Sequence, residues 1–143
     1  MAMKRLRILP LCAISFLLLF GCASHHHRSD GWYPVADSPD NSIVGKPLAT
    51  VKDFDNLSKF REAAINPEGD TIHLFYIQGR VKQSKREQWA DGTERLIGHR
   101  LGFLYNDSII TSPQINARIE SGNFQITSPD TTLLHNIYKA ISR

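Results

Sequence analysis

Both cysteines of this 143-residue chain, Cys12 and Cys22, lie close to its amino terminus. Everything after Cys22 therefore lacks a thiol, which excludes disulfides, thiol catalysis and cysteine metal ligands from that part. The chain is 41% hydrophobic and 22% charged, which is typical of one globular domain rather than of a disordered chain. The part after Cys22 must fold through an apolar core alone.

The first 22 residues have the organisation of a bacterial secretory signal. A short basic region (1–7) precedes the largely apolar run 8–20, which is shorter than the ~20 residues that a membrane-spanning helix needs. The run ends in Leu-Phe-Gly-Cys, which resembles the lipobox of bacterial lipoproteins. The resemblance implies signal cleavage between Gly21 and Cys22, and lipidation of the Cys22 thiol. An ordinary cleaved signal or an uncleaved anchor is the alternative.

The signal segment also accounts for the positive charge of the chain. The 17 Lys and Arg residues exceed the 14 Asp and Glu residues by three. The only charged residues before position 22 are Lys4, Arg5 and Arg7. The mature part is then neutral, so we expect no basic patch for nucleic acid.

Lipidation at Cys22 would hold the mature protein at a membrane. Several acyl chains on one cysteine anchor a protein stably, so we expect membrane lipid as one partner and a location on the periplasmic face. Ala23 follows the cysteine where an aspartate would stand in retained lipoproteins of some bacteria. By that analogy the outer membrane is favoured over the inner one.

Residues 22–46 are predicted to form a flexible tether, because Pro, Gly, Ser and Asp interrupt them without any helical or alternating period. The histidines at 25–27 have no thiol or carboxylate beside them, so we expect no metal site. Trp32 and Tyr33 are unusual in a linker. We expect them to dock on the edge of the domain, and the alternative is a motif that binds a partner.

Residues 47–143 are predicted to form one α+β domain. Asn106-Asp107 is typical of a tight hairpin turn between two alternating strands. One helix is predicted over 80–97, before Gly98, and another after Ser128-Pro129-Asp130. The expected fold is a small two-layer sandwich with a mostly antiparallel sheet and two helices. The predicted strands are 47–51, 57–65, 71–78, 101–105, 109–110, 115–119 and 124–126.

One predicted strand, 71–78, is apolar on both faces. Ile72, Leu74 and Tyr76 alternate with other apolar side chains along it. This pattern indicates a central strand that is covered on both sides or partly covered by a helix.

The stretch 100–113, RLGFLYNDSIITSP, resembles a signature region of SecD, the accessory subunit of the preprotein translocase. Residues 115–127 continue the pattern, although Ser121-Gly122 stands where the family has two glycines and Ser128-Pro129 replaces a glycine. The resemblance covers nearly all of 47–143 and indicates the head subdomain of the first periplasmic domain of the SecDF family. It implies this fold and contact with extended or unfolded polypeptide.

SecD itself moves this head through proton flow at acidic residues in its transmembrane helices. After Cys22 the sequence has no apolar run of the necessary length, so we expect no proton-driven translocation by that route.

The residue patterns do not indicate an enzyme. His73, His99 and His135 have no cysteine partner, and no nucleophile-elbow, metalloprotease or phosphate-loop spacing occurs in the sequence. The acids 87, 91 and 94 follow helical spacing beside basic residues, as on a solvated helix face. We therefore expect no catalytic residues, no cofactor and no metal.

Two functional hypotheses from different classes remain. The first is a lipid-anchored, non-catalytic periplasmic protein that binds polypeptide or an envelope protein, with a link to protein export. The second is a structural or regulatory lipoprotein that docks on a folded envelope complex. The candidate partner-binding residues are Trp32, Tyr33, Asn106 and Asp107, and the sequence leaves the oligomeric state open.

Overall fold

The computed structural model describes residues 27–143, so the predicted signal peptide and Cys22 lie outside the described residues. The described chain is a small α+β domain with two antiparallel sheets and two α-helices, as the sequence predicted. The elements are β1 (Gly31–Val35), β2 (Ala49–Thr50), β3 (Phe54–Ile65), β4 (Thr71–Val81), α1 (Arg86–Arg95), β5 (Arg100–Tyr105), β6 (Ser108–Thr111), β7 (Asn123–Thr127) and α2 (Thr131–Ile141).

The two sheets divide the chain between them. The first has the strand order β2-β1-β5-β6 and the second has the order β3-β4-β7. The hydroxyls of Thr111 and Thr127, at the ends of β6 and β7, lie 3.1 Å apart, so the sheets meet at this point.

The prediction of a tether over 22–46 does not hold for residues 31–35. These residues form β1, which lies inside the first sheet and pairs with β5 over its whole length. The Trp32 side chain is 2% exposed, and its ring lies 5.3 Å from the ring of Phe103 between centroids. Burial of an indole offsets the entropy lost when a linker is ordered, so this segment folds with the domain.

The core lies between the sheets and the helices and is rich in aromatic rings. Trp89 on α1 meets Trp32 edge to face, and the Phe54 and Phe124 rings lie 4.4 Å apart. One face of α2 contributes apolar side chains to this core. Those side chains are Leu134, Ile137 and Ile141.

The first helix differs from its predicted bounds, whereas the second begins directly after Asp130, as the sequence predicted. The predicted first helix, 80–97, begins too early, because Val81 is fully buried and continues the alternation of β4. At α2 the cap is the Asp130 carboxylate, which accepts the Leu133 N–H at 2.9 Å. The Ser128 hydroxyl, which precedes the cap in the chain, accepts the N–H of Asp130 itself.

The predicted strand 115–119 is absent from the described structure apart from isolated bridges at Gln114 and Ile115. This segment binds α1 instead. The Ile119 N–H donates to the buried Thr93 hydroxyl at 3.0 Å, and Arg118 bonds the Asp91 and Glu94 carboxylates. These partners raise the pKa of the Arg118 guanidinium, the Asp91 hydrogen bond most of all.

Within residues 27–143, no helix has both the length and the apolar character that crossing a membrane requires.

Candidate functional site

The β3–β4 hairpin extends beyond the rest of its sheet. β4 pairs with β3 from Val81 back to Thr71, but it pairs with β7 only between Tyr76 and Arg80. The strand β7 stops because the chain turns into α2 after Thr127. Residues 71–75 of β4 therefore have no strand beside them on the β7 side, and we call them the open edge.

The hydrogen-bond alternation shows which backbone groups the open edge presents. The Asn66 N–H donates to the Asp70 carbonyl at 3.0 Å, and the Val81 N–H donates to the Gly122 carbonyl at 2.9 Å. In an antiparallel pair these directions alternate by residue, so even-numbered residues of β4 face β3. The N–H and C=O groups of Thr71, His73 and Phe75 then face away from β3, into the open edge.

The same alternation collects apolar side chains on one face of the hairpin. This hairpin face is formed by Phe60, Ile72, Leu74 and Tyr76, with Glu62 on the same face opposite Leu74. Phe60 and Tyr76 stack with their ring centroids 5.4 Å apart. Phe60, Ile72 and Leu74 are 43%, 39% and 48% exposed. A contiguous exposed apolar patch of this kind marks a binding surface on a soluble domain.

The opposite face of the hairpin carries Lys59 and Arg61 beside the exposed apolar side chains of Phe75 and Ile65, and it lies against α2. The Lys59 ammonium is 3.1 Å from Nδ1 of His135 and 5.0 Å from the centre of the Tyr138 ring. The Arg61 guanidinium lies 5.6 Å from the centre of the Phe75 ring. The groove between this face and α2 has a volume of about 320 Å³. The two faces of the hairpin thus differ in chemistry.

A second cavity lies directly at the open edge. It has a volume of about 520 Å³ and is lined by residues of the hairpin, of β6 and of the turn before α2. Leu74 and Tyr76 belong to its hairpin side, Ile110 and Thr111 to its β6 side, and Pro129 to the turn. The open edge therefore lies in a recess that joins the hairpin face.

The sequence predicted that 71–78 is a central strand covered on both sides or partly covered by a helix; β4 is central in its sheet and partly covered by α2, but cover on both faces does not hold for the residues at the open edge. Ile77 is fully buried, whereas residues 71–75 are exposed. Sequence reasoning therefore missed the hairpin face. The apolar residues on both faces of 71–78 were a signal for this face. The same pattern is typical of a strand that is covered along only half of its length.

The predicted partner-binding residues Trp32 and Tyr33 are buried. Tyr33 is 4% exposed, and its hydroxyl donates to the Ser29 carbonyl at 2.7 Å. Burial, the largest cause, raises the pKa of this phenol. Because both side chains pack inside the domain, they are not free to bind a partner, and that prediction is corrected.

Asn106 and Asp107 form the predicted hairpin turn between β5 and β6. Their φ angles of 46° and 60° are those of a type I′ turn. The Asn106 N–H donates to the Asp30 carboxylate at 2.8 Å, and the Asp107 carboxylate lies 3.6 Å from Nε2 of His27. This turn therefore contacts the beginning of the described chain. It belongs to the first sheet and is not part of the hairpin face.

The histidines lie apart from one another in ordinary polar contacts. Nδ1 of His99 is 2.8 Å from the Asp37 carboxylate, while His135 meets Lys59 and His73 stands on the hairpin. In the part of the chain that the structure describes, no group of three or more His, Cys, Asp or Glu side chains could hold a metal ion.

The fold and the exposed hairpin define a small α+β domain with an apolar sheet surface. The family described as SecDF, P1 head subdomain, matches residues 58–133, which is more than half of the chain. The chain therefore belongs to the SecDF P1 head subdomain family.

Comparison with one solved SecDF structure supports the same fold, and a second one is similar over part of the chain. One structure is described as "Structure and function of a membrane component SecDF that enhances protein export". It is 19% identical to this chain, with a TM-score of 0.53, and the match covers 73% of this chain and 43% of the other. "Crystal structure of SecDF in Super-membrane-facing form" is 21% identical, with a TM-score of 0.46, over 64% of this chain and 11% of the other. The chain thus spans less than half of either SecDF chain. No curated protein matches it.

Proposed function

We propose that this protein is a lipid-anchored, non-catalytic component of the bacterial envelope that binds polypeptide in the periplasm and assists protein export. The observation that carries the proposal is the hairpin face, where Phe60, Ile72 and Leu74 are exposed on a regular sheet. Membership of the SecDF head family supports the link to export. One of the similar SecDF structures is described as a membrane component that enhances protein export.

The chemistry of the hairpin face suits an unfolded ligand. Folded proteins bury most of their large apolar side chains, whereas unfolded chains expose them. The hairpin face offers aliphatic and aromatic surface on a rigid scaffold, with Phe60 and Tyr76 already stacked. Apolar contact of this kind is non-directional, so it accepts many different sequences.

The position of β1 sets the length of the proposed tether. Only residues 23–30 separate Cys22 from the start of β1. Eight extended residues reach at most ~28 Å, and the last of them, Ser29 and Asp30, already bond to the domain. A domain on so short a tether stays close to the bilayer, where it would meet polypeptides that emerge from the membrane.

Binding of an unfolded protein tests the proposal. A reduced and alkylated, permanently unfolded protein should bind to the purified chain more tightly than its native form. Replacing both Phe60 and Leu74 with Ser should weaken this binding by about tenfold or more, because burial of each side chain is worth ~1.5–3 kcal/mol. Fluorescence anisotropy of the labelled ligand measures the affinity.

Matched controls are available far from the hairpin. Val44 and Ile97 are 63% and 47% exposed, and the same Ser substitutions there should leave binding unchanged. Circular dichroism confirms that each variant is folded. Equal binding by the hairpin variant and the control, or equal binding of the native and unfolded forms, would contradict the proposal. If only a folded envelope complex is captured by crosslinking in native membranes, the docking lipoprotein becomes the better description.

The anchor has its own test. Mass spectrometry of the native protein should show an acylated amino terminus at Cys22, and Cys22→Ala should abolish the acylation and leave the signal segment uncleaved. An unmodified amino terminus, or a chain that still begins at Met1, would exclude lipidation.

A further inference from the structure

We propose that an extended segment of the polypeptide ligand binds as an added strand along the open edge of β4, continuing the line of β7. This inference rests on the proposed function, since it assigns a binding mode to the same class of ligand. In this binding mode the backbone of residues 71–75 is the main recognition element. Side chains of the ligand pack on the hairpin face.

The open edge has unused hydrogen-bonding groups. The N–H and C=O groups of Thr71, His73 and Phe75 point away from β3. Among residues 27–143, no backbone hydrogen bond from the β7 side reaches Thr71 or His73, whereas Phe75 continues the β4–β7 register opposite Ser128. Unpaired groups in this arrangement form a template for another strand. Five residues of β4 offer an edge about 17 Å long at ~3.4 Å per residue.

The open edge also lacks the usual protection against strand addition. Residues 71–77 contain no Asp, Glu, Lys, Arg, Pro or Gly, and they are rich in β-branched and aromatic residues. The outer edge of β3 differs, because it carries Lys59 and Arg61 and a register shift between Asp55 and Ser58. Charges and bulges are devices that block edge pairing. One edge of the hairpin is blocked, and the other is left available.

The recess at the open edge favours a single extended chain over a second copy of this protein. The cavity of about 520 Å³ is bounded by Ile110 and Thr111 of β6 and by Pro129 before α2. A second folded sheet that paired at the open edge would bring further strands toward these residues. A lone strand has no such neighbours, so it can enter the recess.

The alternation of β4 predicts the pattern of the ligand. Ligand residues opposite Ile72 and Leu74 place their side chains on the hairpin face, where the surface is apolar. Ligand residues opposite Thr71, His73 and Phe75 turn their own N–H and C=O groups toward β4. The preferred segment is therefore uncharged, with an apolar residue at every second position.

Synthetic peptides separate backbone pairing from simple apolar contact. The probe is a peptide of about seven residues with alternating Thr and Val. When the Val side chains of the peptide pack on the hairpin face, the N–H groups of its Thr residues point toward β4. N-methylation of the Thr residues should weaken binding by about tenfold or more, because several hydrogen bonds are lost. N-methylation of the Val residues of the peptide is the matched control and should change its affinity little.

A pair of proline variants tests the protein side. His73→Pro removes an N–H that faces the open edge, and Ala63→Pro removes the N–H of its partner residue on the outer edge of β3. Neither substitution removes a hydrogen bond between β3 and β4, because both N–H groups point outward. We expect His73→Pro to weaken binding of the alternating peptide several-fold, and Ala63→Pro to leave it unchanged.

Amide hydrogen exchange of the unmodified protein provides a readout that needs no variant. The peptide should protect the amides of Thr71, His73 and Phe75, whereas those of Ile72 and Leu74 already bond to β3. Equal binding of both N-methylated peptides, without this alternating protection, would overturn strand addition and leave polypeptide binding at the hairpin face intact. Failure of every peptide and of the unfolded protein to bind would overturn the proposed function as well.

Discussion

Trp32 shows how much one residue changes the interpretation of this chain. Its indole is 2% exposed and lies among the rings of Trp89, Phe103 and Phe124. Composition places it in a polar stretch, and only the contacts across the first sheet show that it belongs to the core. A large aromatic side chain buries 150–250 Å² of surface, which explains why the surrounding residues become ordered with it.

Tyr33, beside it, gives a prediction about pH. Burial raises the pKa of its phenol above the ordinary value of 10.0, so the folded state favours the neutral form. The stability that this provides is present below pH 10 and is lost as the pH rises through the raised pKa. Denaturant unfolding between pH 8 and about pH 11 should show a steeper loss for the natural protein than for Tyr33→Phe. Parallel curves for the two proteins would mean that Tyr33 contributes no pH dependence.

At the scale of elements, α1 packs closely at Gly92 against Leu48, the residue directly before β2. A Cβ added there would lie 2.7 Å from two carbon atoms of Leu48, whose own side chain is 8% exposed. The glycine interrupts a helical pattern in the sequence, and the structure shows that it allows this close approach.

Gly92→Ala therefore sets two effects against each other. Helix propensity favours Ala by ~1 kcal/mol, and overpacking costs about 1–3 kcal/mol. We expect a net loss of stability of up to ~2 kcal/mol in urea unfolding. In a Leu48→Ala background the clash is gone, and the same substitution should stabilise the protein. If Gly92→Ala stabilises both backgrounds, the contact with Leu48 does not constrain the helix.

The elements that the sequence predicted well are those with local signals. The Asn106-Asp107 turn and the start of α2 at Asp130 depend on residues that are close together in the chain. The segment 115–119 was predicted as a strand because its apolar residues alternate. Its actual conformation depends on Thr93 and on the carboxylates of α1, and alternation carries no information about such distant partners.

For the whole molecule, the folded unit should begin before β1 rather than at Pro47. A fragment of residues 27–143 should unfold cooperatively, whereas a fragment of residues 47–143 should not, because it lacks β1 and leaves β5 without its partner. Tryptophan fluorescence and amide exchange distinguish the two outcomes. Cooperative unfolding of the shorter fragment at equal stability would show that β1 is dispensable.

Residue type, periodicity and short-range spacing were enough to predict the class of the domain, the lack of cysteine chemistry after Cys22 and the hairpin turn, while the resemblance of residues 100–127 to SecD indicated the family. The pairing of β1 within the first sheet and the extension of β4 beyond β7 became visible only in the folded chain. Which apolar residues are covered depends on pairings between distant strands, and identical alternation is compatible with a buried strand and with an open one. The candidate site is therefore a product of topology: residues 71–75 are available to a ligand because β7 ends too early to pair with them.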